Sequence, residues 1–282
     1  MAEILRCGSC GERDLADVLD LGSQPLAEHD NGKRYPLKLV RCANCTLVQL
    51  SYIPDQQEVF PLDHPYVTGS TRVNREHFAD LAEEVDCFTR PGELIVDLGA
   101  NDGTLLAAYE DDVRLAAVEP TDQIFKCPER AVLYREFFTA ELGMRIRSEL
   151  GPAAVITACN VFAHVPDPHD FLDGVTALLA DDGVFITENH DWASIANGLQ
   201  IDTVYHEHLR YYSAASLSYL LTRHSLLVTR MEPVAMHGGS LRTCAVRERG
   251  SLGMRAGKLR ESLRSLLGGL QDGERVLKII VG

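Results

Sequence analysis

The sequence predicts an α/β protein with a doubly wound, mainly parallel sheet and a small four-cysteine module at its N-terminus. Short apolar runs that suit buried strands alternate with amphipathic segments that suit helices between residues 94 and 187. A glycine-rich turn follows the first of these strands, and two Cys-x-x-Cys pairs precede the whole pattern. We therefore expect three units: a metal module over residues 1–72, an α/β domain over 73–247, and the opening of a further α/β unit over 248–282.

Composition narrows the class of protein. The chain has 282 residues, 45% of them hydrophobic and 24% charged, which is ordinary for a globular protein of about two domains. It contains no apolar run of roughly 18 residues and no apolar signal segment near Met1, so we expect a cytoplasmic protein without a membrane partner. The formal net charge of −14 argues against a nucleic-acid partner. The sequence does not indicate an oligomeric state.

The N-terminal module carries two Cys-x-x-Cys pairs, formed by Cys7, Cys10, Cys42 and Cys45. Two such pairs can complete a tetrahedral four-thiolate zinc site, and four protein ligands leave no open position for catalysis. Gly8, Gly11 and Asn44 are residues that tolerate the positive φ of tight turns. Four unrelated thiols and a nucleic-acid-binding finger are the alternatives. We expect a structural Zn²⁺ that supplies folding free energy to a segment with little core.

The glycine-rich turn has the form of a nucleotide-binding site. Residues 94–98 read as a buried strand, and residues 104–109 can open a helix after the turn. A second strand over residues 115–118 ends at Glu119, where an acidic side chain commonly accepts hydrogen bonds from ribose hydroxyls. An NAD-type site is one alternative. However, Asn101 and Asp102 crowd the place where a pyrophosphate would lie.

The turn instead resembles motif I of class I S-adenosylmethionine methyltransferases, which have a Rossmann-like sheet. The matching form is Asp-x-Gly-x-x-x-Gly, from Asp97 to Gly103. The resemblance implies that five residues bind S-adenosylmethionine: Asp97, Gly99, Asn101, Gly103 and Glu119.

Later segments continue the predicted sheet. Residues 153–158 and 183–187 read as strands, and residues 170–179 read as an amphipathic helix. This arrangement places Asn160, His164 and Glu188 near carboxyl ends of strands, where ligands bind in open α/β sheets.

A histidine-rich segment is the second candidate site. Seven of the ten histidines fall between positions 160 and 240, and the run Tyr205-His206-Glu207-His208 is the densest part. We interpret His169 and His224 as ordinary structural residues. If the run is a strand, His206 and His208 share a face and could bind a metal. The other interpretation is a catalytic base held by its neighbours.

Together these motifs resemble the sugar-nucleotide C-methyltransferases of deoxysugar biosynthesis, which methylate C3 of dTDP-4-keto-2,6-dideoxyhexoses. The resemblance covers residues 7–246. It rests on the paired cysteines, residues 97–103, 160–165, 202–208 and 237–242. It implies that His208 is the base, that Tyr205 hydrogen-bonds the enolate oxygen and that Glu207 orients or assists the base.

The same resemblance assigns further binding residues. For the cofactor it indicates Tyr66 and Ser70, in the segment 66–71, together with Asn160. For the nucleotide-sugar substrate it indicates Asn160, His164, His206, His237 and Arg242. The segment 237–242 could instead be an ordinary hairpin.

The C-terminal region departs from that family, whose members continue into a second Rossmann-like domain. Here residues 255–270 read as a helix and residues 276–281 as a buried strand, after which the chain stops. We therefore expect a truncated chain with weakened substrate affinity. Two alternatives to an active C-methyltransferase stay open. One is an inactive relative that binds the cofactor or a partner protein, and the other is an O- or N-methyltransferase of small natural products.

Overall fold

The computed structural model describes residues 2–27 and 32–248. The predicted helix over 255–270 and the predicted strand over 276–281 lie outside the described residues. Within the described ranges, no helix is both long enough and apolar enough to cross a membrane.

The described chain forms three sheets and six α-helices. The strands are β1 (Ala2–Glu3), β2 (Leu15–Gln24), β3 (Tyr35–Cys42), β4 (Val48–Leu50), β5 (Tyr52–Ile53), β6 (Leu94–Leu98), β7 (Arg114–Val118), β8 (Ala131–Tyr134), β9 (Ala153–Cys159), β10 (Leu179–His190), β11 (Arg210–Tyr211), β12 (Leu226–Val234) and β13 (Ser240–Arg247). The α-helices are α1 (Gln56–Val59), α2 (Arg72–Asp86), α3 (Ala140–Leu150), α4 (Pro168–Leu178), α5 (Trp192–Gly198) and α6 (Ala214–Arg223). Five short 3₁₀ turns lie at Thr68–Ser70, Leu106–Ala108, Asp122–Lys126, Phe162–His164 and Ile201–Thr203.

The central sheet has seven strands in the order β12-β13-β10-β9-β6-β7-β8. Its strands from β10 to β8 pair in parallel, whereas β13 pairs antiparallel with both β10 and β12. Strand β6 is buried along its whole length, because both faces of a doubly wound parallel sheet are covered. The predicted strands over 94–98, 115–118, 153–158 and 183–187 are confirmed, although β10 extends beyond the last of them at both ends.

The predicted helix over 104–109 is wrong. Only the 3₁₀ turn Leu106–Ala108 forms there, and Tyr109 is already extended. Leu105, Leu106 and Tyr109 are buried, and the acidic residues 110–112 lead directly into β7. An α-helix of so few residues gains little from propagation, so the packing of these apolar side chains decides the conformation.

The N-terminal module shares its sheet with the α/β part of the chain. Its four strands lie in the order β11-β4-β3-β2, so the edge strand β11 comes from residues far along the sequence. Arg210 pairs with Gln49, and the backbone N–H of Leu50 donates to the carbonyl of Leu209 at 3.0 Å. One buried hydrophobic cluster contains residues both of the module and of the segment 195–211: Leu37, Leu39, Val48, Leu50, Ile195, Val204, Leu209 and Tyr211. The segment that contains the Tyr-His-Glu-His run is therefore anchored to the module.

Candidate functional site

The four predicted cysteine ligands converge. Their sulfur atoms all lie within 4.8 Å of one another, with Cys7 Sγ 3.3 Å from Cys45 Sγ and Cys10 Sγ 3.4 Å from Cys42 Sγ. A tetrahedral zinc with Zn–S bonds of about 2.3 Å needs sulfurs roughly 3.8 Å apart, so the donor set fits this ion. Within the described ranges, no other group of three or more Cys, His, Asp or Glu side chains has such an arrangement.

The turns of the metal module differ in part from the prediction. Positive φ occurs at the residue after the second cysteine of each pair, Gly11 (φ 78°) and Thr46 (φ 63°), and neither Gly8 nor Asn44 has a positive φ. Gly8 instead packs closely against the side chain of Arg210. A Cβ at this position would lie 2.8 Å from Nη2 of Arg210.

A cavity of about 330 Å³ opens at the carboxyl ends of β6, β7, β9 and β10. This position is where doubly wound sheets bind ligands. Nine of the predicted site residues line it: Tyr66, Gly99, Asn101, Glu119, Asn160, His164, Tyr205, His208 and His237. The two sequence motifs, which lie more than 100 residues apart in the chain, thus meet in one cavity.

Glu119 forms one wall of the cavity at the end of β7. Its side chain is buried, and one carboxylate oxygen accepts the backbone N–H of Asn101 at 3.1 Å. The other oxygen accepts the backbone N–H and the hydroxyl of Thr121, at 2.9 and 2.7 Å. These bonds fix the carboxylate at the cavity edge, where its remaining lone pairs can accept hydrogen bonds from a diol.

The Gly turn owes its shape to close packing. Gly99 has φ 73°, and a Cβ there would lie 2.2 Å from Cγ2 of Val161. No side chain fits, so the backbone of the turn can approach both the neighbouring loop and a ligand.

Asn101 and Asp102 attach the segment 66–70 to the cavity mouth. Asn101 Oδ1 accepts the backbone N–H of Thr68 at 2.8 Å, and its Nδ2 donates to the carbonyl of Tyr66 at 3.1 Å. Asp102 Oδ2 accepts the N–H of Gly69 at 3.0 Å. The two side chains that distinguish this turn from a dinucleotide fingerprint therefore hold the tyrosine segment in place.

Three predicted cofactor residues do not line the cavity. Ser70 is exposed, and Thr68 contributes to the wall in its place. Gly103 closes the turn, with φ 74° and with Cys127 packed where a Cβ would lie. Asp97 is buried behind the turn and accepts the hydroxyl of Thr157 at 2.7 Å; burial raises its pKa to about 7. Asp97 and Gly103 therefore lie behind the residues that line the cavity.

His208 is held as a neutral imidazole with a defined tautomer. Its Nδ1 lies 3.0 Å from the carbonyl of Thr203, so this nitrogen carries the proton and donates. Its Nε2 then accepts from the hydroxyl of Tyr205 at 2.9 Å. Burial lowers the pKa of His208 well below its usual value, and the nearby His164 lowers it further. The unprotonated Nε2 is thus available as a base at neutral pH.

His164 has a similar arrangement on the neighbouring loop. Its Nδ1 lies 2.6 Å from the carbonyl of Glu207 and donates to it, and its ring centre lies 5.0 Å from that of His208. Both imidazoles therefore use Nδ1 to hold a backbone carbonyl.

Two members of the Tyr-His-Glu-His run face away from the cavity. The run is a turn and not a strand, so its alternate residues do not share a face. His206 packs on Tyr35 and contacts the carbonyl of Pro36, and Glu207 Oε1 accepts the N–H of Ala27 at 3.1 Å. The predicted substrate contact of His206 is therefore wrong, as is the shared face on which a metal bound by His206 and His208 depends. Glu207 does not line the cavity, and its role of orienting or assisting the base stays a prediction.

Arg242 is also misassigned as a substrate residue. It lies in the β12–β13 hairpin, buried in an ion-pair network beside the sheet. Its Nε donates to Glu188 at 2.5 Å and its Nη1 donates to Glu84 at 2.7 Å. Burial raises the pKa of Glu188, but the hydrogen bond from His77 and the charge of Arg242 outweigh burial and lower it. The hairpin interpretation of 237–242 is confirmed, although His237 does line the cavity.

Sequence reasoning missed three further histidines of the cavity wall, which are His64, His77 and His190. His77 lies on α2, and its Nε2 is 2.6 Å from a carboxylate oxygen of Glu188. A single histidine on an amphipathic helix gives no sequence signal of such a role. His169 and His224 lie outside the cavity and hydrogen-bond each other at 2.8 Å, as structural residues do.

Comparisons with known proteins show the family of the chain. Residues 72–229 match the family model described as "Methyltransferase domain", and residues 7–60 match the one described as "Putative zinc binding domain". C-methyltransferase NovU from Streptomyces niveus is 34% identical over 259 residues, which cover 86% of this chain and 61% of NovU. This chain therefore spans less than two thirds of the length of that relative.

A solved structure supports the same fold. A SAM-dependent methyltransferase from Anabaena variabilis superposes with a TM-score of 0.51 at 14% identity. The match covers 66% of this chain and 89% of the other.

Proposed function

The chain belongs to the family of methyltransferase domains, and we propose that it is an S-adenosylmethionine-dependent C-methyltransferase of a nucleotide-linked keto-deoxysugar. The acceptor would be a dTDP-4-keto-deoxyhexose, methylated at C3 next to the ketone. The observation that carries this proposal is the neutral His208 imidazole, which shares one cavity with Gly99 and Glu119. The likeness to C-methyltransferase NovU supports methylation at carbon.

The cofactor side of the cavity fits S-adenosylmethionine. Glu119 offers buried carboxylate lone pairs for the ribose hydroxyls, and the tightly packed Gly99 lets backbone approach the ligand. Tyr66 and Asn160 complete the wall toward the acceptor side. When bound, S-adenosylmethionine supplies an electrophilic methyl group to a nucleophilic carbon.

The acceptor side supplies a base for a weak carbon acid. The hydrogen next to a ketone has a pKa far above neutrality, so its removal requires a placed base and a stabilised enolate oxygen. In our proposal, Nε2 of His208 takes this proton while the Thr203 carbonyl keeps Nδ1 protonated. The imidazolium that forms is then held by that carbonyl.

Tyr205 is the proposed donor to the enolate oxygen. Its hydroxyl lies 2.9 Å from His208 Nε2. This hydrogen bond must break when a ketone enters between the two side chains. The substrate carbon loses its proton to the imidazole, and its electron pair moves onto the ketone oxygen. The phenol stabilises that charge until the carbon would form a bond to the methyl group, whose bond to the cofactor sulfur would break and leave a neutral thioether. Asn160 and His164 would hold the sugar.

Methyl transfer to a panel of sugar nucleotides tests the proposal. The purified protein would be incubated with S-adenosylmethionine and one dTDP-linked sugar at a time. The product masses would be measured by mass spectrometry. We expect a gain of one methyl group with 4-keto-deoxyhexoses and none with the corresponding 4-hydroxy sugars. Methylation of the hydroxy sugars would indicate O-methylation instead, and no methylation of any ketosugar would contradict the proposal.

A further inference from the structure

Arg210 joins the metal module to the loops that carry the cavity histidines. It is buried at the start of β11, two residues after His208. Its guanidinium donates from Nη1 to the carbonyl of Val165 and from Nη2 to the carbonyl of Pro166 at 2.6 Å. Val165 directly follows His164, so the Arg210 side chain bonds to the backbone beside His164. Arg210 itself begins the strand that follows His208.

The same guanidinium lies against the first metal-binding turn, Cys7–Cys10. At Gly8, an added Cβ would be 2.8 Å from Nη2 and 2.9 Å from Nε of Arg210. The N–H of Gly8 also donates to the side chain of Gln49 at 2.8 Å, and Gln49 is the pairing partner of Arg210 across β4 and β11. Glycine thus fits at this position because the arginine occupies the space of a side chain.

The geometry requires arginine specifically. Two successive carbonyls are bonded by two nitrogens of one planar group, whose flat face can lie close to a backbone. A lysine ammonium is a point charge and cannot reproduce both features. The two loops are also bonded directly, since the N–H of Leu209 donates to the carbonyl of Ala163 at 3.0 Å. Arg210 therefore adds the connection of both loops to the metal turn.

We propose that Arg210 is a positioning residue that clamps the loops of His164 and His208 against the metal turn Cys7–Cys10. Through this contact, metal binding sets the orientation of both cavity imidazoles. The consequence for catalysis rests on the proposed methyl transfer, whereas the clamp itself is a structural property that needs no substrate.

The experiment measures the ring N–H groups of the two histidines. Each Nδ1–H donates to a backbone carbonyl, so its NMR signal should be protected from solvent exchange in the wild-type holoprotein. Replacement of each histidine by glutamine assigns the signals. In Arg210→Ala, we expect both ring protons to exchange at least about tenfold faster, with zinc content and S-adenosylmethionine affinity unchanged.

Three comparisons separate this role from simple destabilisation. Millimolar guanidinium should restore the protected signals in Arg210→Ala, and Arg210→Lys should not rescue them. Gly8→Ala should increase the exchange rate of both ring protons although the arginine is present. In the double variant Gly8→Ala/Arg210→Ala, these rates should be no higher than in either single variant. Arg72→Ala, which removes an exposed arginine on α2, is the matched control and should leave the signals unchanged.

The outcomes are decisive in both directions. Ring signals that stay protected in Arg210→Ala would overturn the clamp, as would their loss together with zinc or cofactor binding. If the clamp holds, methyl transfer by Arg210→Ala should fall by about 10–100-fold in kcat, with KM for S-adenosylmethionine unchanged. If wild-type protein methylates nothing, the proposed function fails while the ring signals still test the clamp.

Discussion

The two sides of the cavity are built in different ways. The cofactor side is formed by consecutive strand ends and turns, and Gly99, Asn101 and Glu119 lie within 21 residues of one another. The acceptor side is formed by the loop of Tyr205 and His208, which is held between the metal module and the sheet. The first is a local structure, and the second depends on contacts between distant parts of the chain. Loss of the metal site should therefore affect the acceptor side more than the cofactor side.

The largest expected effect comes from breaking the metal site. In Cys42→Ser the site loses a fully buried ligand, so the module should release zinc and the loop of His208 should lose its anchor. We expect methyl transfer to fall by about 100-fold or more, while calorimetry still detects S-adenosylmethionine binding. The control is Cys87→Ser, which changes an exposed cysteine. Equal loss of cofactor binding would contradict the separation of the two sides.

The converse substitution affects the cofactor side. Glu119→Gln removes the charge that faces the proposed ribose hydroxyls, and hydrogen bonds to charged groups contribute about 1.5–3 kcal/mol. We expect S-adenosylmethionine affinity to fall by about 10–100-fold in calorimetry, with zinc content unchanged. Glu129→Gln, which changes an exposed glutamate outside the cavity wall, is the control. Unchanged affinity would remove Glu119 from the cofactor site.

The smallest expected effect is on the pH dependence of kcat, which reports on the base of the acceptor side. The base must be neutral, and burial lowers the pKa of His208 below its usual value, with further lowering by His164, His190 and His237. The acid limb of kcat should therefore lie below the usual histidine pKa of about 6.5. We expect turnover to stay constant from pH 8 to about 6.5. A decline already beginning above pH 7 would contradict a buried neutral base.

The sequence was sufficient to predict the parts of the site that depend on short-range contacts. Paired cysteine spacing predicted the four cysteines that converge, and the resemblance to motif I indicated Gly99, Asn101 and Glu119, which line one cavity. These residues are close in the chain, or are fixed by a simple spacing rule, so their geometry follows from short-range constraints. Even here the helix after the turn is wrong, because buried side chains override the helical pattern.

The parts of the site that depend on contacts between distant residues could not be predicted in the same way. Neighbouring positions in a turn point in different directions, so His208 enters the cavity while His206 contacts the carbonyl of Pro36 and Glu207 contacts Ala27. The sequence places these partners about 170 and 180 residues away, and no periodic pattern encodes such contacts. The substrate role predicted for Arg242 has the same cause, since its half-buried partner Glu84 lies on α2, far away in the sequence.

Solvent exchange at the carbon next to the substrate ketone tests the role of His208 most directly. The ketosugar would be incubated in deuterated water with wild-type protein and with His208→Gln, and deuterium at this carbon would be followed by NMR. Glutamine keeps the polar bulk but cannot take up the proton. We predict rapid incorporation with wild type and a rate lower by about 100–10,000-fold with the variant. Equal incorporation by the two proteins would show that another group removes the proton and would contradict the account.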